Sequence, residues 1–141
     1  KEFEGCHLTS YLCPAGVPTI GYGNTRYPEG LAVRLGESIT QQRAEEMLTL
    51  EIQRIAEILE ANIPFWESMR SNQKSTLISF AFNVGAYFYG LPGFKTISRA
   101  LENREWSRVP DALLLYRNPG SHFEVGLRRR RIEEGRVWST P

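Results

Sequence analysis

The segment Thr19-Ile20-Gly21-Tyr22-Gly23 decides the fold, together with Glu4 and Cys13 at fixed distances upstream. Eight residues separate Glu4 from Cys13, and five separate Cys13 from Thr19. Gly5 is placed to end a helix that carries Glu4. A hairpin that folds back over this helix end would bring a carboxyl group opposite Cys13 and Thr19 across a small cleft.

The residues around this segment predict a small β lobe. His7–Leu12 is expected to form the first strand, residues 14–16 the turn, and residues 17–22 the return strand, which is bounded by glycines. The following region is rich in Pro and Gly, and we expect one further short strand in it at residues 31–35.

With these positions in place, the chain resembles the phage-type lysozymes, or endolysins. The signature of that family is a Glu, eight residues, an Asp or Cys, five residues and a Thr, and residues 19–25 extend the match. Residues 80–85, Phe-Ala-Phe-Asn-Val-Gly, resemble the central-helix motif of the family, and Gly126 to Glu134 resemble its C-terminal Gly-Leu-x-x-Arg-Arg-x-x-Glu. There are two departures, since most relatives carry His at the position of Asn24 and an apolar residue at that of Cys6.

The resemblance implies an α+β, lysozyme-like fold, in which a long helix joins a small N-terminal β lobe to a larger all-helical lobe. We expect residues 1–141 to form a single catalytic domain, with the β lobe at about 6–37, the linking helix at about 40–60 and the helical lobe at about 65–138. Because the chain begins at Lys1, only three residues before Glu4, we expect it to be a fragment of a longer protein.

Composition agrees with one domain and narrows the class of partner. A chain of 141 residues that is 41% hydrophobic can build one core but not two ordinary ones. The formal net charge of +1 argues against a general attraction to nucleic acid. No run approaches the roughly 20 apolar residues of a membrane span, and no signal peptide is recognisable.

The helices are predicted from periodicity and from their end signals. Ser38 and Gln41 form a capping-box pattern ahead of the long helix, which Pro64 would end. Its buried face is expected to comprise Ala44, Leu48, Ile52, Ile55 and Leu59.

The helical lobe should be organised around its most apolar helix. Residues 71–84 form that helix, and Gly85 ends it. Three further helices are predicted at residues 94–101, 106–116 and 122–138.

Glu4 is the candidate general acid for glycosidic bond cleavage. An inverting hydrolase needs an acid that protonates the leaving oxygen and a group that positions or activates water on the opposite face of the sugar. To hold a proton near neutral pH, the pKa of Glu4 should be raised by burial, or a partner should keep its proton available.

Cys13 and Thr19 are the candidates on the water side. A thiol with an ordinary pKa of about 8.5 is a poorer base at pH 7 than a carboxylate unless its surroundings lower that pKa. We therefore expect Cys13 and Thr19 to hold and polarise the attacking water, with Cys13 acting as the base only if it ionises. The simpler interpretation of Cys13 is a small buried hydrophobe.

The cysteines and histidines give little further sign of function. We interpret Cys6 and Cys13 as free thiols, although a local disulfide between them is the alternative. His7 and His122 are the only histidines, and neither lies in a thiol-protease signature. The four residues show no metal-ligand spacing, so we predict no metal.

Three further residues are candidates for contacts with substrate or acid. Through the resemblance, Arg128 of the run 128–131 is placed near Glu4 to orient it, against the alternative of a solvated helix paired with Glu133 and Glu134. Asn83 is a candidate for hydrogen bonding to a sugar hydroxyl or N-acetyl group, or else a capping residue. Tyr22 either lines the cleft or packs beneath it.

The resemblance implies a muramidase that cleaves the β-1,4 bond between N-acetylmuramic acid and N-acetylglucosamine in bacterial peptidoglycan, with inversion and without a cofactor. We expect a monomer that neither binds nucleic acid nor inserts into membranes. An endolysin without a signal would accumulate in the host cytoplasm before release to the wall, whereas fused domains would deliver other forms.

Two alternatives from other classes remain. Because Cys replaces the usual Asp, the chain could be a catalytically impaired module that binds glycan. The arginine run could instead bind nucleic acid, in which case binding would fall steeply with salt.

Overall fold

The computed structural model describes residues 5–13, 15–121 and 123–140, and the chain divides into two compact units, Lys1–Arg54 and Ile55–Pro141. Each unit is considered by itself. The predictions for Lys1, Glu4, Pro14 and His122 fall outside the described residues.

The first unit begins with the predicted hairpin. Strand β1, His7–Leu12, pairs antiparallel with strand β2, Pro18–Gly21, so the first strand is confirmed and the second is shorter than predicted. Tyr11 lies opposite Thr19 and His7 opposite Gly21, and the register shifts between these two pairs. The pairing therefore contains an irregularity of the β-bulge kind.

Gly21 brings the end of β2 close to its neighbours. Its φ of +65° is one that side chains with a Cβ rarely adopt, and an added Cβ would lie 3.3 Å from Asn24 Oδ1 and 3.8 Å from Ala44 Cβ. A glycine is therefore required here both by the backbone conformation and by the close approach.

The strand predicted at residues 31–35 is not formed. The region holds only an isolated bridge between Arg26 and Ala32, and the carboxylate of Glu37 accepts hydrogen bonds from the Arg34 backbone N–H at 2.6 Å and from the Tyr27 hydroxyl at 2.9 Å. Because a side chain takes up the backbone donor that a strand partner would use, this segment is held as a loop.

Helix α1 spans Gln41–Asn62, close to the predicted range, but its cap differs from the prediction. The Thr40 hydroxyl accepts a hydrogen bond from the Arg43 backbone N–H at 3.0 Å, which is the geometry of an N-cap. The Ser38 hydroxyl lies 3.2 Å from that of Thr9 instead. The predicted capping box at Ser38 is wrong because this side chain serves the hairpin.

The buried face of α1 also differs at one position. Ala44, Leu48, Ile55 and Leu59 are buried as predicted, whereas Ile52 is 37% exposed and Met47 is buried in its place. Residues four apart drift by about 40° around a helix, so the row that begins at Ala44 has left the buried face by Ile52.

The second unit is helical. After α1 it contains α2 Ser71–Val84, α3 Lys95–Glu102, α4 Val109–Leu114 and α5 Glu124–Trp138. Helix α2 has the predicted bounds. Helix α3 has the predicted length but lies one residue further along, after a 3-10 turn at Pro92–Phe94. Helix α4 is shorter than predicted, because a 3-10 turn at Trp106–Arg108 precedes it and it ends at Leu114. Helix α5 begins two residues later than predicted.

Each unit has its own apolar cluster, and the two clusters differ in size. In the first unit, Ile20, Val33 and Met47 are buried together. In the second, Phe80 of α2 packs edge-to-face against Phe88 and Tyr116 within a much larger cluster. All three tryptophans of the chain, Trp66, Trp106 and Trp138, belong to this second unit.

Helices α4 and α5 approach each other closely at Gly135. This glycine is buried, and an added Cβ would lie 3.1 Å from the Cβ of Pro110 near the start of α4. Within the described residues, no helix combines the length and the apolar character needed to cross a membrane.

Candidate active site

Cys13 and Thr19 are brought together at the turn end of the hairpin. The Cys13 backbone N–H donates to the Val17 carbonyl at 3.0 Å, so the chain reverses directly beside the thiol. Thr19 lies on β2, opposite Tyr11 of β1, and is 3% exposed. Its hydroxyl donates to the same Val17 carbonyl at 2.9 Å. The predicted pair therefore lies at one end of the hairpin, with Cys13 in the turn and Thr19 near the start of β2.

The surroundings of Cys13 favour its thiolate. The Val17 backbone hydrogen bond is the largest cause that lowers the pKa of Cys13, and the Ala15 backbone and the Thr19 hydroxyl act in the same direction, while partial burial opposes them. The net result is a pKa below the ordinary thiol value. Successive backbone N–H groups in a turn commonly stabilise an anion in this way.

Tyr22 lies in a polar network at the start of α1. Its side chain is 5% exposed, so it packs within the first unit, and its hydroxyl donates to Glu45 Oε1 at 3.3 Å. Gln41 Nε2 donates to the Tyr22 oxygen at 3.1 Å and to Glu45 Oε1 at 3.0 Å, while the Cys6 thiol donates to Gln41 Oε1 at 3.5 Å.

This network raises the pKa of Tyr22. The Gln41 hydrogen bond favours the phenolate, but desolvation and the neighbouring Cys6 and Glu45 together outweigh it. Tyr22 therefore stays a neutral hydrogen-bond donor. Cys6, two residues after Glu4, and Tyr22, three residues after Thr19, thus belong to one hydrogen-bond network.

Asn83, in the second unit, is exposed near the end of α2. Its Oδ1 accepts a hydrogen bond from Arg131 Nη2 at 2.9 Å. The guanidinium of Arg131 also lies 4.8 Å from the Phe80 ring centre. The cap at the end of α2 is formed by Gly85 instead, whose backbone N–H donates to the Ala81 carbonyl at 2.8 Å.

The run Arg128 to Arg131 points in several directions, as predicted. Arg128 and Arg129 are exposed, whereas Arg130 and Arg131 are buried against Glu134. The Nε atoms of Arg130 and Arg131 lie 3.3 and 3.1 Å from carboxylate oxygens of Glu134. This side of α5 is therefore buried, whereas Arg128 itself is exposed, which agrees with the solvated alternative for that residue.

Glu134 is held from two helices. Its carboxylate accepts from the Ser79 hydroxyl at 2.6 Å, and Arg130 Nη2 donates to the Ser79 carbonyl at 2.7 Å. Burial raises the pKa of Glu134, against the opposing effects of Arg131, Ser79 and Arg130. These contacts fasten α5 to α2.

Both cysteines are free, as preferred. Cys6 is exposed and Cys13 is half-buried. Among the residues that the structure describes, no cluster of three or more His, Cys, Asp or Glu side chains could hold a metal ion.

Several residues at the site were not predicted from the sequence. The sequence singled out Arg128 of the run and gave Arg131 no role of its own, although the spacing of three residues between Arg131 and Glu134 is a recognisable ion-pair signal on a helix. Gln41 and Glu45 gave no signal, because polar residues in the first turns of a helix are ordinarily solvent-exposed.

Known proteins similar to this chain are lysozymes and endolysins of phages. The model of the phage lysozyme family matches residues 1–134. The endolysin of Salmonella phage P22 is 31% identical over 134 residues, which cover 94% of this chain and 88% of that protein. The structure of the endolysin from Escherichia coli O157:H7 phage FAHEc1 has a TM-score of 0.81 at 25% identity, covering 98% of this chain and 86% of that one.

A bacterial domain shares the fold as well. The muramidase domain of SpmX from Asticcacaulis excentricus has a TM-score of 0.80 at 24% identity, covering 100% of this chain and 92% of that one.

The fold and the matching residues define a glycoside hydrolase of the lysozyme class that acts on peptidoglycan. The chain belongs to the phage lysozyme family.

Proposed function

We propose that this chain cleaves the β-1,4 bond between N-acetylmuramic acid and N-acetylglucosamine with inversion, using Glu4 as the general acid and Cys13 with Thr19 on the water side. The observation that carries the proposal is the turn that presents Cys13 beside Thr19 and lowers the pKa of the thiol. The spacing of both residues from Glu4 supports it.

In the proposed step, a water oxygen attacks the anomeric carbon while the bond to the leaving sugar oxygen breaks. Glu4 gives its proton to that oxygen, and the attacking water gives a proton to the Cys13 thiolate. Proton exchange with solvent then restores both groups. Glu4 and Cys13 therefore need opposite protonation states before each turnover.

The Thr19 hydroxyl carries one proton, which it can donate to only one acceptor at a time. While Cys13 is a thiol, this proton goes to the Val17 carbonyl. When Cys13 ionises, the hydroxyl can turn toward the sulfur, since the Val17 carbonyl keeps its bond from the Cys13 backbone. Thr19 thus adapts to the charge on Cys13 and offers its oxygen lone pairs to water.

Asn83 and Tyr22 are proposed to bind substrate, and Arg128 to orient Glu4. The exposed amide of Asn83 supports direct glycan contact. For Tyr22, whose ring is buried, contact is restricted to its small exposed edge. Arg128 is exposed on α5, and its role rests on the family resemblance.

The test is clearing of purified peptidoglycan by the wild type, Glu4→Gln, Cys13→Ser and Cys13→Asp, with and without a thiol reductant. We expect Glu4→Gln to abolish clearing, Cys13→Ser to lower it strongly, and Cys13→Asp to retain it. Early products, followed by NMR, should be α-anomers. Full activity of Glu4→Gln would refute the assignment, and glycan binding by a folded wild type without clearing would favour the binding module.

The enzyme is further proposed to act as a monomer on the wall, without nucleic acid or stable membrane insertion, and, if it is an endolysin, to lie in the host cytoplasm before release. The near balance of charge, +1 overall, supports the absence of a nucleic-acid partner. Light scattering should give the mass of one 16.1 kDa chain. A mass of twice that value would contradict the monomer.

The proposal also treats both units as parts of one catalytic domain, since the family model matches residues in each of them.

A further inference from the structure

Asn83 combines an exposed position with a fixed partner. Arg131, whose Nη2 bonds Asn83 Oδ1, is 0% exposed. Its guanidinium is held by the Phe80 ring on one face and by Glu134 Oε1 at 3.1 Å from Nε. The partner of the Asn83 amide therefore has little freedom to move.

This partner determines which way the amide points. A guanidinium has donors and no acceptor, so only the amide oxygen of Asn83 can face it. A flipped amide would set its NH₂ group against Arg131 and lose a charge-assisted hydrogen bond. The Nδ2 group, with two donors, is thus left for whatever approaches the exposed side.

Resting on the proposed role of Asn83 in glycan binding, we propose that Asn83 recognises a carbonyl or carboxylate oxygen of the glycan by donating from Nδ2, and that Arg131 is the positioning residue that fixes this orientation. Two glycan groups offer such an oxygen, the N-acetyl carbonyl and the lactyl carboxylate of N-acetylmuramic acid. A fixed donor favours these over a group that presents an N–H.

Asn83→Asp separates recognition from structure. The substitution keeps the size of the side chain and the contact with Arg131, which becomes an ion pair, but it removes both donors. Asn83→Ala removes the contact and the donors together. A purely structural Asn83 predicts that Asn83→Asp is active and Asn83→Ala impaired, whereas a donor role predicts that both are impaired.

The measurements are the melting temperature, kcat and KM on peptidoglycan strands, and binding of an N-acetylglucosamine tetramer. We expect Asn83→Asp to melt at or above the wild-type temperature and to lose about tenfold or more in kcat/KM, because a carboxylate then faces the acceptor oxygen. The matched control is Asn103→Asp, an exposed position at the end of α3, which should retain wild-type kinetics.

The same variants identify the source of the oxygen. If it is the N-acetyl carbonyl, removing the acetyl groups from the tetramer should weaken binding to the wild type but not to Asn83→Asp. If the tetramer shows no such difference while kcat/KM on strands still falls, the acceptor belongs to N-acetylmuramic acid, whose lactyl group is the oxygen-bearing group that the tetramer lacks. Either result supports a donor role for Asn83.

Wild-type binding and kinetics in Asn83→Asp would overturn the proposal. Failure of this inference can be distinguished from failure of the proposed catalysis, because clearing of peptidoglycan by the wild type tests catalysis without any Asn83 variant. A wild type that binds glycan through Asn83 but does not clear peptidoglycan would remove the catalytic assignment and leave this inference in place.

Discussion

At the residue scale, the turn around Cys13 favours the thiolate form of this side chain. Backbone groups at Val17 and Ala15, together with Thr19, lower the pKa of the thiol. In the proposed mechanism Cys13 is the base and must be deprotonated to act, so activity should rise as the pH increases through this lowered pKa.

The first prediction concerns this thiol directly. In a Cys6→Ser background, the alkylation rate of Cys13 measured against pH should have its midpoint below about 8.5. Thr19→Val removes a hydrogen bond that lowers the pKa, so the midpoint should move to higher pH. A midpoint at or above the ordinary value, or one that Thr19→Val leaves unchanged, would contradict this account of Cys13.

The second prediction concerns Glu37. The Arg34 backbone N–H is the largest cause that lowers the pKa of this carboxyl, followed by the Tyr27 hydroxyl. A carboxyl with a lowered pKa stabilises the folded loop above its unfolded pKa, and this contribution is lost as the pH falls through the folded pKa.

The Arg34 amide resonance should therefore titrate with a midpoint below about 4.3, the ordinary value for Glu. The titration should vanish in Glu37→Gln and persist in Glu51→Gln, whose side chain pairs with Arg54 elsewhere in the unit. Persistence in Glu37→Gln would show that another group controls the loop.

At the element scale, helix starts and close helix contacts were the features least accessible from sequence. The pattern from Ser38 to Gln41 is a valid capping box, yet the Thr40 hydroxyl forms the cap because Ser38 is engaged with Thr9. Sequence alone cannot show which of two neighbouring hydroxyl residues forms the cap, because either one could instead hydrogen-bond the hairpin. By contrast, the bounds of α2 followed directly from its apolar run and Gly85.

The third prediction separates the two candidate caps. Thr40→Ala should lower the free energy of unfolding by about 1 kcal/mol, since it removes an N-cap. Ser38→Ala removes only an exposed hydroxyl contact and should cost less. Urea denaturation of both variants measures the difference, and equal losses would show that both side chains support the helix start.

The fourth prediction compares one substitution at two glycines of α5. Gly126 has open space around it, so Gly126→Ala should stabilise the protein by up to about 1 kcal/mol through helix propensity. Gly135→Ala must fit a Cβ 3.1 Å from that of Pro110, and overpacking of this kind costs about 1 to 3 kcal/mol.

Because the Pro110 ring has little freedom to move, we expect a net loss of stability for Gly135→Ala. Urea denaturation of the two variants provides the comparison. Equal stabilisation by both substitutions would mean that α4 and α5 separate at little cost.

At the scale of the whole molecule, the two units differ in how much apolar surface holds them together. The first unit buries a cluster of three apolar residues, Ile20, Val33 and Met47, whereas the second buries a much larger apolar cluster that includes Phe80. Local opening should therefore require less free energy in the first unit.

The fifth prediction is that amide hydrogen exchange is faster in residues 7–39 than in α2 and α5. Met47→Ala, which leaves a cavity in the smaller cluster, should accelerate exchange in residues 7–39 and leave α2 unchanged. Uniform protection across the chain would contradict this difference between the units.

The α+β fold could be predicted through the family resemblance, and the hairpin and helices through glycine positions, turn residues and helical periodicity, which are local signals. Pairing of Cys13 with Thr19 could also be predicted, since both lie on that hairpin. Attachment of Asn83 to Arg131 could not, because it depends on how α2 packs against α5 and on which of four consecutive arginines turns inward. Tyr22 shows the same limit, since its neighbours come from α1.

The distribution of tryptophan makes fluorescence a selective probe of this enzyme. Trp66, Trp106 and Trp138 all lie in the second unit, and Tyr22 and Tyr27 in the first have no indole nearby within that unit. Emission excited at the indole band thus follows the helical unit, and an unfolding curve recorded this way could stay flat while the hairpin opens. A fluorophore attached to Cys6, which is exposed, would give the first unit a signal of its own.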